Sequence, residues 1–178
     1  MSIPRETTMA SNIRSAKRLT LKELALLPIT NEAAIDEAFL DSNRHMNVSW
    51  YWHLFNQSTE GMQKWLGFDW AKIDEHGGGL FILEGHIRYL AEVLVGQHVT
   101  VRTRLIARSA KRIQYLHFMF NDDNQTLAAT YEEVQSHMDM KSRRMAPYPD
   151  SIAKSFDKAL AEHEALDWDP SVCGVMRS

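Results

Sequence analysis

Apolar side chains return at three- and four-residue steps between residues 48 and 66. Tyr51, Leu54, Phe55, Met62 and Trp65 share one stripe with Ser58, and Gln57, Glu60, Gln63 and Lys64 fall between them. That period predicts an α-helix, and Gly67 just beyond is a suitable residue to end it. Trp50 and Trp52 lie off the stripe. The helix is therefore apolar around much of its circumference and is expected to be covered on more than one side. Downstream the pattern changes to strands. Residues 80–94 carry Phe81, Ile82, Ile87, Tyr89 and Val93, and residues 97–107 alternate cleanly with Val99, Val101, Thr103 and Leu105 on one face. Residues 111–120 follow a tight Ser109-Ala110-Lys111 connection, and residues 126–140 follow an Asn121-Asp122-Asp123-Asn124 turn cluster.

Upstream, residues 30–40 are expected as a first strand, and residues 19–27 as a helical turn or two before Pro28. Residues 68–76 read as a connection with one helical turn, punctuated by Gly77-Gly78-Gly79. Pro147 and Pro149 break the sheet, and residues 150–165 read as a terminal helix capped by Asp150 or Ser151. One strand, one long apolar helix and four strands joined by short turns predict an α+β fold. A strongly curled, five-stranded antiparallel sheet wrapping the helix would supply the cover that the helix needs.

The chain has 178 residues, within the size of one domain. Residues 1–18 are polar and aperiodic and are expected to be a disordered tail before a single domain over 19–178. The formal charge of −3 gives no nucleic-acid footprint. The single cysteine, Cys173, excludes an internal disulfide and fits a reducing, cytoplasmic setting. No apolar run approaches the roughly 20 residues that span a bilayer. Arg5, Arg14, Lys17 and Arg18 near the N-terminus accompany no apolar core of a secretory signal.

Candidate chemistry concentrates just before the long helix, in Asp41-Ser42-Asn43-Arg44-His45-Met46-Asn47. Acid, amide, imidazole and amide recur at every second position, so an extended backbone would line Asp41, Asn43, His45 and Asn47 along one side. The unpaired N–H groups of a helix start, around Met46 to Val48, favour negative charge such as a developing oxyanion. The plainer reading is that Asp and Asn favour turns, with Asn47 as a helix N-cap. Other chemistries lack their signatures. There is no Gly-x-Ser-x-Gly elbow, none of the eight His forms His-Glu-x-x-His, and a lone Cys offers no zinc pair. The glycine run lacks the Lys-Ser/Thr of a phosphate loop. Glu84 with His86, and His137 with Asp139, share strand faces and read as surface pairs.

The run from Asp41 to Asn47, followed by Tyr51, Phe55 and Leu66-Gly67, resembles the hot-dog acyl-CoA thioesterases. It also resembles the Asp-x-Asn-x-His-x-Asn-Asn motif of plant acyl-ACP thioesterases. Arg88-Tyr89-Leu90-Ala91-Glu92, with Gly96 beyond, is similar to the family's second-strand signature, in which the matching glutamate belongs to the active site. The resemblance spans residues 29–149. Within the family, His45-Met46-Asn47-Val48, the stretch from His86 to Glu92, and Arg143-Arg144-Met145-Ala146-Pro147-Tyr148-Pro149 are most similar to the betainyl-CoA thioesterases of bacterial carnitine degradation. Val48 stands where the plant motif has its second Asn, and Cys173 is not at the position of a plant triad cysteine.

The resemblance implies a hot-dog thioester hydrolase that releases coenzyme A from a small acyl-CoA, betainyl-CoA among the candidates. Asp41 or Glu92 would activate water or attack directly, Asn43 would hold the water or carbonyl, and His45 would donate or relay a proton. Asn47, Trp50, Tyr51 and Tyr89 are candidate substrate contacts. Lys111, Arg112, Arg143 and Arg144 are candidates for the coenzyme A phosphates. Aromatic residues on and near the helix, Trp50, Tyr51, Trp52, Phe55, Trp65, Trp70, Phe81 and Tyr89, could include a cage for a quaternary ammonium. Core packing explains most of them equally well. No metal or redox cofactor is expected, coenzyme A being part of the substrate. The partners expected are the acyl-CoA and, through unpaired sheet edges, a second copy in a homodimer or dimer-based tetramer, with no nucleic acid or membrane. The rivals are a hot-dog hydratase or dehydratase, and a non-catalytic acyl-CoA-binding domain.

Overall fold

The structure, a computed structural model, describes residues 19–68 and 78–178. The expected N-terminal tail, most of the 68–76 connection, Trp70 and Gly77 lie outside the described residues. The elements in chain order are α1 (Leu21–Leu24), β1 (Ile29–Ala34), α2 (Val48–Trp65), β2 (Gly78–Tyr89), β3 (His98–Arg108), β4 (Arg112–Asn121), β5 (Thr126–Asp139), the short β6 (Arg144–Met145) and α3 (Asp150–Glu164).

The sheet is antiparallel throughout, in the order β1-β3-β4-β5-β2. Strands β3, β4 and β5 are consecutive hairpins, because short turns leave neighbours no choice but to pair. β1 and β2 take opposite edges, so the chain crosses the sheet through α2. Register slips at residues 29/31, 82/84, 105/107 and 119/120 add bulges, which bend the strands and curl the sheet.

Tyr51, Leu54 and Phe55 of α2 pack on Val99, Val101, Met119, Ala129 and Tyr131. One helical stretch further on, Met62 and Leu66 meet Leu105, Ile113, Tyr115 and the Ile152 and Phe156 side chains of α3. The opposite face of the sheet is covered by Leu24, Leu27, Leu166 and Trp168 over Leu116, Phe118 and Phe120. With cover on both faces, β4 and β5 are buried along most of their length instead of on alternate residues. Helix and sheet approach closely at Gly61, where an added Cβ would stand 1.9 Å from the Thr30 carbonyl oxygen.

Four expectations are corrected. The first strand stops at Ala34, because Asp36 accepts the Ala38 N–H at 2.8 Å and starts a 3-10 turn over Glu37–Phe39. Gly78 and Gly79 open β2 rather than punctuate a loop, and β2 ends at Tyr89, leaving residues 90–95 outside the strand. Val48, Trp52 and Trp65 stay exposed, so within one chain α2 is covered by the sheet and, toward its C-terminal end, by α3, while part of its circumference stays open. α3 starts at the Pro149 N-cap without a side-chain hydrogen bond, and neither Asp150 nor Ser151 caps it.

Candidate active site

Residues 41–47 form a turn, not an extended strand. Arg44 has a φ of +66°, the Asp41 N–H donates to the His45 carbonyl at 3.1 Å, and the Arg44 N–H donates to the Asp41 carbonyl at 3.0 Å. The Asp41 carboxylate accepts the Asn43 N–H at 2.8 Å, so the Asp-Ser-Asn run satisfies its own backbone and folds the chain back. The alternation that would align four side chains is lost. In its place Asp41 and His45 meet across the turn, with Oδ2 3.5 Å from Nδ1. Asn43 is left at the exposed tip. Asn47 caps α2, its Oδ1 accepting from the Ser49 N–H at 2.9 Å and the Ser49 hydroxyl at 2.7 Å.

The loop after β2 builds the other wall. The Met46 N–H donates to the Val93 carbonyl at 2.8 Å, and His45 bridges to Leu94. Between the turn, the helix start and this loop is a pocket of about 290 Å³ lined by His45, Val48, Tyr51, Tyr89, Ala91 and Glu92, among others. Tyr51 is buried and donates its hydroxyl to the Ala91 carbonyl at 3.3 Å. Burial pushes the phenol up to about 12, so it stays a neutral donor. Tyr89 stands edge-on to Tyr51 at 5.3 Å and is half exposed. At the helix start the N–H groups of Met46, Asn47 and Ser49 are taken by Val93, Phe39 and the Asn47 side chain. The Val48 N–H has no acceptor among the described residues, and Val48 lines the pocket.

The structure thus brings His45, Glu92, Tyr51 and Tyr89 into one cavity with Asp41 behind the imidazole. It does not bring the other candidates there. Trp50 stacks on Phe39 at 4.3 Å and donates to the Ala38 carbonyl at 3.1 Å, pinning the 3-10 turn. Phe55 is buried in the core, and Trp65 stacks on His163 at 5.9 Å. Phe81 is exposed near the start of β2. Arg112 pairs opposite Ser136, with Lys111 just before it, and Arg144 opposite Asp139 with Arg143 before it, at the far end of β5 from the pocket. A second cavity of about 320 Å³ lies along β1 and β3, lined by Glu32, His98, Thr100 and Asp122. Its acidic walls are unsuited to a phosphorylated ligand.

Sequence reading missed a chain of polar groups in the core between α2 and the sheet. Thr30 bonds Thr103 at 2.8 Å, Thr103 meets His117 Nδ1 at 2.7 Å, and His117 Nε2 meets Thr59 at 3.1 Å. Tyr115 donates to the fully buried Glu133. Burial holds the imidazole of His117 down to about 3 and raises the Glu133 carboxyl to about 7. Apart from Thr59 of α2, these residues sit inside strands, where only the register reveals that they share a face with the helix.

The sequence profile of the thioesterase-like superfamily matches residues 37–156. An Agrobacterium fabrum protein named L-carnitine dehydrogenase/betainyl-CoA thioesterase is 32% identical over 145 residues, which are 82% of this chain but only 30% of that protein. The betainyl-CoA thioesterase of Pseudomonas aeruginosa is 28% identical over 137 residues, 77% of this chain and 86% of its own. Among solved structures, a Staphylococcus aureus protein in complex with CoA superposes with a TM-score of 0.76 at 21% identity, covering 85% of this chain and 96% of that one. A 1,4-dihydroxy-2-naphthoyl-CoA thioesterase from Synechocystis gives 0.64 at 16% identity, covering 76% and 97%. The sheet order, the helix crossing it and the profile match agree, and the chain belongs to the thioesterase-like superfamily with its hot-dog fold.

Proposed function

We propose that this protein hydrolyses a small acyl-CoA thioester, with betainyl-CoA its preferred substrate, and releases coenzyme A. The observation that carries the reading is the single pocket holding His45, Glu92 and the start of α2. With the thioester carbonyl seated there, the free Val48 N–H receives the oxyanion, helped by the positive end of the α2 dipole. Glu92, exposed in the pocket wall, takes a proton from the attacking water. Asp41 is held by the Asn43 N–H and orients His45 through Nδ1, leaving Nε2 to donate or relay a proton. Water adds to the carbonyl carbon, the C–S bond breaks, and the sulfur leaves as a thiolate that needs little acid help, since a thiol's pKa is about 8.5. The acyl group departs as a carboxylate.

A betaine headgroup is a quaternary ammonium. The exposed ring of Tyr89, set against Tyr51 in the pocket that Glu92 also lines, offers aromatic and anionic surface to such a cation. The relatives named as betainyl-CoA thioesterases support the same choice.

β2 pairs on one side only, with β5, and exposes Phe81, Ile82 and Leu83. We read this edge as the seam of a homodimer, in which β2 of one copy runs antiparallel to β2 of the other. A twofold axis near the strand centre sets the Gly78 end of one copy beside the Tyr89 end of its mate. Lys111, Arg112, Arg143 and Arg144 gather at the Gly78 end, where β5 and β2 pair through Asp139. Each pocket would then receive coenzyme A phosphates against the basic end of the other copy.

The test is coenzyme A release from betainyl-, acetyl-, butyryl- and long-chain thioesters, with Glu92→Gln and Asp41→Asn alongside and light scattering for the assembly. Glu92→Gln is expected to lower kcat about 10²- to 10⁴-fold, the usual reach of a general base. Equal kcat/KM for betainyl and butyryl substrates would remove the headgroup reading. No turnover of any thioester by folded protein that still binds coenzyme A would leave a binding domain.

A further inference from the structure

On the sheet face away from α2, four residues form a row across four strands. Arg104 of β3 opposes Leu116 of β4, Leu116 opposes Glu132 of β5, and Glu132 opposes His86 of β2. The chain after α3 crosses this row as a strap. The Arg104 guanidinium lies 4.2 Å over the Trp168 ring and donates to the Trp168 carbonyl at 2.7 Å. Further along, the Cys173 N–H donates to the Glu132 carboxylate. There a nitrogen of His86, an oxygen of Glu132 and the sulfur of Cys173 all lie within 4.8 Å of one another.

Glu132 is the unusual member. It is 1% exposed, and its hydrogen bonds come from two neutral donors, the Gln114 amide at 2.7 Å and the Cys173 N–H. No Lys, Arg or His forms an ion pair with it among the described residues. A buried carboxylate ordinarily has a cation beside it or ligates one. The two side chains that converge on this one are metal-binding types.

We propose that His86, Glu132 and Cys173 form a binding site for a divalent zinc-class cation that staples the C-terminal strap to the edge strand β2. One nitrogen, one thiolate sulfur and one carboxylate oxygen suit a borderline-soft ion, whereas magnesium and calcium take oxygen. A tetrahedral zinc with bonds of about 2.0–2.3 Å holds its ligand atoms roughly 3.5 Å apart. From separations of at most 4.8 Å a closing of about 1 Å suffices, a shift that would fall to the exposed His86 and half-buried Cys173 side chains around the fixed Glu132. Cys173 gives up its thiol proton to solvent on binding, and water fills the fourth position. Gln114 steers the carboxylate from behind, as outer partners of metal ligands do. The site takes nothing from the pocket, so the thioester chemistry needs no metal under this assignment. Sequence spacing hides the cluster, because its members come from two strands and a tail.

The experiment uses the full chain, reduced and stripped with a chelator, then titrated with Zn²⁺ or Co²⁺. Expected are 1:1 binding, an intense thiolate-to-cobalt absorption band, and a higher Tm that chelator reverses. His86→Ala and Cys173→Ser should each weaken binding at least tenfold, Cys173→Ser should abolish the band, and both should keep the metal-free Tm and the thioesterase rate. Absence of saturable 1:1 binding overturns the proposal. So does binding that neither substitution alters, which would place the ion on other histidines.

Discussion

His117 offers the sharpest check on the buried polar chain. Its imidazole is fully enclosed, bonded through Nδ1 to Thr103 and through Nε2 to Thr59, and it faces Phe55, Tyr115, Tyr131 and, through Thr59, Glu133. In the folded protein it takes a proton only near pH 3, whereas in the unfolded chain it does so at its ordinary value of about 6.5. Acid therefore feeds protons to the unfolded state first. The imidazole's contribution is intact above about pH 6.5 and falls as the pH drops, until the folded form protonates near 3. By pH 5 the loss is about 2 kcal/mol, at 1.36 kcal/mol per unit below the unfolded value.

Glu133 works in the opposite sense. Its raised value of about 7 means a contribution present below about pH 4.5 and lost as the pH climbs through 7. Between pH 5 and 7.5 the two slopes nearly cancel, so the wild-type curve alone says little. The difference from His117→Gln isolates the imidazole, because Gln still offers a donor and an acceptor to the two threonines but does not titrate, while Glu133 is common to both proteins. Tyr115 and Tyr131 remain neutral across this range, since burial raises both phenols. Urea unfolding at pH 7.5 is expected to show the variant less stable, and the gap should shrink by about 2 kcal/mol at pH 5.0. A gap that stays constant to within about 0.5 kcal/mol would mean that His117 is not held neutral in the fold.

Three further outcomes are expected. Asn47→Ala removes the α2 cap and should cost about 1 kcal/mol in denaturant unfolding, with a fall in kcat because the Val48 N–H is no longer fixed. Gly61→Ala drives a methyl into the Thr30 carbonyl and should destabilise the fold by about 1–3 kcal/mol or more, read from the thermal midpoint. Replacing Arg143 and Arg144 together by Ala should raise KM for a coenzyme A thioester several-fold and leave the pantetheine thioester, which lacks the nucleotide, unchanged.

The fold was legible because its signals are local and periodic. The α2 stripe, the clean alternation of β3 and the turn cluster before β5 placed those three elements within a residue or two, whereas β2 ended five residues early. Misreadings arose where one short side chain redirects the backbone. Asp36 ends the first strand by capping a 3-10 turn, and nothing in the hydrophobic pattern of residues 30–40 marks that contact. Long-range assembly was equally hidden. Glu133 and His117 look like ordinary polar residues on strands until the register sets both on the helix-facing side.

In the candidate site Asp41 and His45 come together by a route that alternation does not predict. Alternation in residues 41–47 predicts one face of an extended chain, yet Asp41 and His45 approach because the segment turns back on itself, four residues apart across one tight loop. The Asp41 side chain that heads the row also holds the turn, and the Asn47 that ends it caps the helix. Asp41 serves the backbone through the Asn43 N–H and Asn47 caps the helix, while Asn43 sits at the exposed tip; the side chains that meet at the pocket are His45, with Asp41 behind it, and Glu92. The Asn47 side chain takes the Ser49 N–H, and among the described residues the Val48 N–H is left without an acceptor, available for the proposed oxyanion role. Turn, cap and site are thus one local solution: the residues that fold the chain back also expose the helix start to the pocket.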